Sequence, residues 1–334
     1  MSCSTAQMVI VSGRVRLARN YFDLPFSVQK KPENALTCVC RARDALSELA
    51  QSYTLYQMNS LKPLEQQMLV EQHLISRDLL KNPDSGAVLI RNDELVSVMI
   101  NEEDHLRIQA MGSGESLNEI ANEAFAAEEA LEDICTFSYD PQLGYLTSCP
   151  TNTGTGMRAS LMLHLPMLTR CKQMGNINQS IAKLGLTIRG IYGEGSEALG
   201  DLYQVSNQVT LGRTEEEIVD AVSAVGKKMI DMECALREHS QKEKSAELED
   251  VIWRSYGLLS YAKQMDEKEF MLHWSNLRFG SSIDLLPITL QTADELLKLG
   301  QNAHAQNYGD SLEYPLPAEQ ARCEHIQKML LGIR

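Results

Sequence analysis

The sequence is short of positive charge. Its 334 residues hold 31 lysines and arginines against 45 aspartates and glutamates, a formal net charge of −14. An acidic surface repels phosphates, so general binding to nucleic acid or to an anionic membrane is excluded, and any polyanion must meet a local cluster of cations. No apolar run approaches the ~18 residues a membrane span requires. The opening residues lack the basic region and apolar core of a secretory signal. The eight cysteines (Cys3, Cys38, Cys40, Cys135, Cys149, Cys171, Cys234, Cys323) form no C-x-x-C pair. Their scatter predicts reduced thiols and a cytoplasmic protein. No G-x-x-x-x-G-K-[ST] occurs, which excludes a P-loop enzyme.

A hydrophobic content of 43% and a charged content of 23% give the chain material for a full core, in two domains or one large one. Met8 to Val11 reads as a short strand leading into Ser12-Gly13-Arg14-Val15-Arg16-Leu17-Ala18-Arg19-Asn20. On an extended segment Arg14 and Arg16 project to one face. Two guanidinium groups side by side repel unless an anion lies between them; the alternative is a pair of solvated surface arginines. Helical spacing covers 32–50, 64–76 and 116–133, and residues 87–90 and 95–100 read as a hairpin. Residues 157–174 also read as a helix, entered from the glycines at 154 and 156. Strands are expected over 184–189 and 203–211. Thr214 and Glu217 then form a capping box for a further helix. Arg237 to Glu249 is polar and reads as a solvated helix or connector, giving domains over 1–240 and 241–334, the second helical.

Cys149-Pro150-Thr151-Asn152-Thr153-Gly154-Thr155-Gly156-Met157-Arg158 joins a thiol, turn residues and an arginine. It reads either as a surface turn beside a buried cysteine or as an anion site, with backbone amides freed by the glycines to approach a ligand. In Asn101-Glu102-Glu103-Asp104-His105-Leu106-Arg107, three acids follow an apolar strand, as a solvated loop or as a site that a cationic ligand offsets. Arg189 opens the loop Gly190-Ile191-Tyr192-Gly193-Glu194-Gly195, which either closes over a ligand or simply connects. Five arginines (Arg14, Arg16, Arg107, Arg158, Arg189) are too many for one carboxylate and suit a triphosphate.

These four motifs, in this order, resemble those of the phosphagen (guanidino) kinase family, over nearly the full length. Ile100–Ile108, Gly144–Asn152, the run G-E-G-S-E-A at 193–198 and Arg254–Leu259 are similar to the bacterial branch that phosphorylates protein arginine. The resemblance implies an α+β fold: a catalytic domain with an antiparallel sheet flanked by helices, then an all-helical C-terminal domain. It implies ATP-binding residues Ser12, Arg14, Arg16, His73, Arg107, Arg158 and Arg189, the arginines on the phosphates and His73 on the adenine side. It further implies that Glu103 and Glu194 hold the substrate guanidinium, Glu103 as base, and that Cys149 touches a guanidinium nitrogen without forming a covalent intermediate. Magnesium would ride on the nucleotide phosphates and water, with no carboxylate cage of its own. The implied partners are arginine side chains of proteins, a small zinc-binding activator, a Clp-type unfoldase or protease that takes the marked substrates, and a second copy of the chain through the helical domain.

Two other activities compete. Kinases of free arginine or another small guanidino compound carry a long helical segment before the first arginine motif and no helical tail, whereas eleven residues precede Ser12 here and a tail follows. A silent adaptor in proteolysis would have lost an arginine, Glu103, Glu194 or Cys149, and none is lost. Two departures stand out. Gly13 replaces a usual serine and is expected to loosen a turn beside Arg14. Ala318-Glu319-Gln320-Ala321-Arg322-Cys323 keeps only Arg322 of an arginine-rich pattern that resembling proteins use to bind phosphoarginine allosterically, so weak or absent activation is expected.

Overall fold

A computed structural model describes residues 6–26, 31–47, 49–114, 116–190, 198–243 and 246–332. In chain order the elements are β1 (Ile10–Arg19), α1 (Pro32–Ser47), β2 (Tyr53–Gln57), α2 (Pro63–Glu71), β3 (Ala87–Arg91), β4 (Val96–Ile100), β5 (Leu106–Gly112) and α3 (Leu117–Glu132). There follow a two-stranded ribbon, β6 (Tyr139–Asp140) and β7 (Gly144–Tyr145), then β8 (Met157–His164), α4 (Pro166–Arg170), α5 (Met174–Ala182), β9 (Leu186–Gly190), β10 (Leu202–Asn207) and α6 (Glu215–Glu243). The helical end comprises α7 (Ala246–Tyr261), α8 (Glu267–Ser282), α9 (Leu290–Leu299), α10 (Asn302–Ser311) and α11 (Ala318–Leu331).

Eight strands form one sheet in the order β2-β3-β4-β5-β1-β8-β10-β9. Every neighbouring pair is antiparallel. One face is covered: α3 packs on β1 and β5, α6 packs on β8, and α1 lies against α3. Val15 and Leu17 of β1, Ile108 of β5, Leu161 of β8 and Ile120 and Ala124 of α3 meet in the larger core. The reason is the strand period of two, which sends Gly13, Val15 and Leu17 to this side and Ser12, Arg14 and Arg16 to the other. Gly13 sits within the strand, not in a turn: a Cβ there would come 2.6 Å from Ile120 Cδ1, so its lack of side chain lets α3 approach. Ser116 caps α3, accepting from the Glu119 amide, and the Glu119 carboxylate accepts the Ser116 amide in return. The antiparallel sheet, its flanking helices and the helical end match the predicted fold class.

The helix expected over 157–174 is a strand instead, followed by the short α4. Met157, Ala159, Leu161 and Leu163 alternate at the strand period, and β8 lies between β1 and β10 with ladder partners on both sides. The glycine turn therefore leads into a strand and supplies no helix terminus for an anion.

The helical end has its own core around Ile252, Phe270, Trp274, Phe279 and Leu296. Trp274 donates its indole N–H to the Ala293 carbonyl at 2.7 Å, which satisfies the one polar atom of the largest buried ring. Arg237, expected in a solvated connector, is buried. Its Nε donates to Glu233 Oε1 at 2.8 Å, and its Nη atoms donate to Ser282 Oγ at 2.8 Å, Met8 O at 3.0 Å and His164 O at 3.0 Å. Those partners come from the chain start, β8 and α8, so this guanidinium joins the helical end to the sheet.

Candidate active site

The face of the sheet opposite α3 carries the arginines. Directly paired residues of an antiparallel ladder share a face, as do residues two apart on one strand. Arg107 pairs with Ala18, two residues from Arg16; Arg16 pairs with Arg158; Ser160 pairs with Ser206; and Gln204, two residues from Ser206, pairs with Arg189. All five arginines and Ser12 thus lie on one surface, spread over β5, β1, β8 and β9.

The electrostatics record this crowding. Burial first, then Arg107 and Arg158, lowers the Arg14 pKa to about 10. Arg16 is pushed well below its usual value by burial and then by Arg14, Arg107 and Arg158, with only Glu102 acting the other way. The Arg16 Nε is buried with no hydrogen-bond partner among the described residues. Arg158 donates from Nη2 to Ser206 Oγ at 3.2 Å. A surface that concentrates like charge and leaves a guanidinium donor unsatisfied fits a multiply charged anion.

His73 follows α2 in the left-handed region, at φ 60°. Gln109, beside the arginines on β5, donates from Nε2 to the His73 carbonyl at 2.7 Å and fixes this strained turn. The ring lines the same cleft as Arg14 and Arg16. Desolvation within the cleft, then the charges of Arg14 and Arg16, lowers the His73 pKa to about 4, so the imidazole is neutral near pH 7.

The acidic turn is neither a plain solvated loop nor an unpaired cluster. Glu102 accepts from Arg107 Nη1 at 2.5 Å and from the Ser76 hydroxyl. Asp104 accepts Asn20 Nδ2 at 2.7 Å and the Ser148 amide at 2.6 Å, and Asn20 Oδ1 in turn accepts the His105 amide at 2.9 Å. Two of the three acids are therefore buried and bonded, and Glu103 between them is exposed. Its pKa is raised by desolvation and then by Asp104 and Glu102. The Asp104–Ser148 bond joins the turn bearing Glu103 to the loop bearing Cys149. The Cys149 Sγ lies 3.0 Å from Thr151 Oγ1.

The glycines of that loop serve the protein itself. A Cβ on Gly154 would lie 2.4 Å from Thr210 O, and one on Gly156 would lie 2.5 Å from Arg19 Nη1. Both have positive φ, +118° and +62°. The amides of Gly154 and Thr155 donate to Tyr145 O and Thr210 O, so they are not the ligand donors expected from the sequence. Arg19, the third arginine of the first motif, belongs to this packing: it donates to Glu128 Oε1 at 2.5 Å and Thr155 O at 2.9 Å and lies over the Tyr145 ring.

Glu194, with 191–197, lies outside the described residues. Asn20 and Gln109 are positioning groups that nothing in the sequence marked, and Asp104, read there as an acid awaiting a cationic ligand, is a third. Their bonds span 84, 44 and 36 positions, and only their adjacency to arginine motifs could have marked them. Among the described residues no three His, Cys, Asp or Glu side chains converge as a cation cage.

Comparison with known proteins agrees with this geometry. The pattern of the ATP:guanido phosphotransferase C-terminal catalytic domain matches residues 36–236. That of the protein-arginine kinase McsB C-terminal domain matches 245–333. The chain is 43% identical over 327 residues to the protein-arginine kinase of Caldanaerobacter subterraneus subsp. tengcongensis, covering 96% of this chain and 97% of that one. It is 39% identical over 327 residues to that of Bacillus subtilis, covering 96% and 90%. Among solved structures it is similar to lombricine kinase, with a TM-score of 0.63 and 27% identity over 70% of this chain and 68% of that one. It is also similar to the duplicated taurocyamine kinase of Schistosoma mansoni with bound transition-state analogue components, with a TM-score of 0.64 and 26% identity over 75% and 38%.

Proposed function

The chain belongs to the ATP:guanido phosphotransferase family, in its protein-arginine kinase branch, and from that premise we propose which residues carry the transfer of the ATP γ-phosphoryl group to a protein arginine. The observation that carries the assignment is the convergence of Arg14, Arg16, Arg107, Arg158 and Arg189 on one sheet face, where Arg16 has an unsatisfied donor. The arginines hold the triphosphate, with Ser12 beside them on β1, and His73 lies on the adenine side.

An arginine nitrogen is a poor nucleophile while protonated, because the guanidinium pKa exceeds ~12. Carboxylates must align it and accept a proton during attack. Glu103, raised by desolvation and by two neighbouring acids, suits that work, and Glu194 is assigned to the other side of the guanidinium. The nitrogen forms a bond to the γ-phosphorus as the bond to the β–γ bridging oxygen breaks. The proton passes to Glu103 and ADP leaves with the bonding electrons. Cys149 orients the guanidinium. Arginine donors stabilise the charge on the transferring group. Magnesium, when bound, neutralises phosphoryl oxygens; Glu102 and Asp104 are engaged with Arg107, Ser76, Asn20 and Ser148, so nucleotide oxygens and water are its fitting ligands.

Protein arginine as substrate follows from the branch. A cytoplasmic setting, a zinc-binding activator, delivery to a Clp-type unfoldase and a homodimer rest on the resemblance. Glu103→Gln tests the base: ATP binding is retained while acid-labile phosphoarginine on an unfolded protein substrate disappears. Retained transfer places the base elsewhere.

A further inference from the structure

The cleft that Arg14, Arg16 and His73 face is closed on its far side by the helical end. It measures about 760 Å³, and its other wall is made by Met271 of α8, Leu297 of α9, and Gln301 and Gln306 at and within α10. That volume suits a small ligand. Its lining combines the cationic Arg14 and Arg16, the neutral His73 beside them, the apolar Val70, Met271 and Leu297, and carboxamides that are each both donor and acceptor.

The two walls are bound together at one residue. Glu71, the last residue of α2 and two before His73, accepts the amides of Ala303 at 2.6 Å and His304 at 3.1 Å, and His304 Nδ1 lies 2.7 Å from its Oε2. A carboxylate here accepts amide donors of the α10 N-terminus that have no partner within the helix, and meets its dipole favourably. Gln301 Nε2 donates to the Glu71 carbonyl at 3.3 Å. The helix that ends two residues before His73 and the helix that forms the far wall are therefore tied directly to each other.

Resting on the assignment of Arg14 and Arg16 to the triphosphate, we propose that the helical end is part of the nucleotide site. The nucleoside of ATP lies between His73 and α10, and Glu71 is a positioning residue that holds α10 there. The helical end then tunes affinity for ATP separately from the phosphoryl chemistry.

The test compares ATP with inorganic tripolyphosphate, each displacing a fluorescent ATP analogue from the full chain. Gln306→Trp, which fills the cleft from a partly exposed position, is expected to weaken ATP at least tenfold and leave tripolyphosphate unchanged. Glu71→Gln is expected to raise the KM for ATP severalfold, with kcat at saturating ATP and the KM for the protein substrate retained; Glu71→Asp restores part of the loss. A merely structural role would lower kcat and thermal stability together without separating the two ligands. ATP binding unchanged in both Gln306→Trp and Glu71→Gln overturns the inference. If instead Arg14→Ala leaves ATP and tripolyphosphate binding intact, it is the triphosphate assignment that fails.

Discussion

Two groups of arginines in this chain face opposite demands. Arg237, Arg278 and Arg322 are almost wholly buried, and each is saturated by oxygen acceptors. Arg278 donates to Asp294 Oδ1 at 2.7 Å and to the carbonyls of Met8 at 2.8 Å and Ile10 at 3.3 Å. Arg322 donates to Gly300 O and Met265 O, both at 2.6 Å, and to Asn302 Oδ1. Arg14 and Arg16 are half-buried beside Arg107 and Arg158, and their main neighbours are other cations. The first group ties segments distant in the chain into one body. The second is costly until an anion arrives. Identical side chains are thus suited to stability or to anion binding according to whether oxygens already surround them.

The contrast breaks most sharply at Arg16. Arg16→Ala is expected to lower kcat/KM for ATP by roughly 10²–10³-fold, as loss of a positioned transition-state donor does. The urea unfolding midpoint stays level or rises, because a repelling charge has gone. A large drop in stability with modest loss of activity would move Arg16 into the structural group. Arg322→Ala should do the reverse. Two buried carbonyls lose their donor, each costing about 1–3 kcal/mol, so stability falls by roughly 3 kcal/mol in urea unfolding. Catalytic constants measured well below the melting point stay near those of the parent chain.

The difference between these groups was only partly readable in the sequence. Arg14 and Arg16 betray themselves locally, because alternation on a strand puts two cations on one face whatever the rest of the chain does. The capping pair Thr214 and Glu217, whose amides and side chains do bond reciprocally, and the hairpin over 87–100 are local in the same way. Arg237 looked solvated because its own neighbours are polar, while its acceptors Met8 and Ser282 lie 229 and 45 positions away. Glu71 and His304 are 233 apart. The strand at 157–164 was hidden by Met162, which adds an apolar residue to the open face and breaks the visible period of two. Gly154 and Gly156 signalled close approach correctly, but Thr210 and Arg19, not a ligand, are what approach.

Arg322 also bears on the expectation of weak or absent activation by phosphoarginine. By resemblance it is the one arginine kept at the position of a phosphoarginine site, yet its Nε and both its Nη atoms are bonded within the fold, and Asp266, Glu267 and Glu319 line the adjoining pocket with a single lysine, Lys268. A dianionic phosphoryl group would meet three carboxylates there against the one ammonium of Lys268. Free phosphoarginine added to the assay is therefore expected to leave the rate of protein phosphorylation unchanged. A saturable activation curve would show that other cations have taken over the role.

The smallest effect sharpens the electrostatic side of the comparison. His73 has a pKa lowered to about 4, by desolvation and then by Arg14 and Arg16. A free imidazole titrates near ~6.5, so between that value and the folded one the unfolded chain binds more protons than the folded one. Stability contributed at this site is therefore full above pH 6.5 and is lost as pH falls toward 4. An anion on the arginines removes the charge part of the shift and leaves the desolvation part. The His73 ring protons, followed by NMR, should titrate well below the usual imidazole midpoint in the free protein. With tripolyphosphate bound the midpoint should rise, so that binding takes up a proton in mildly acid solution. An unmoved midpoint would mean that the anion does not neutralise Arg14 and Arg16, and the two groups of arginines would then differ in exposure alone.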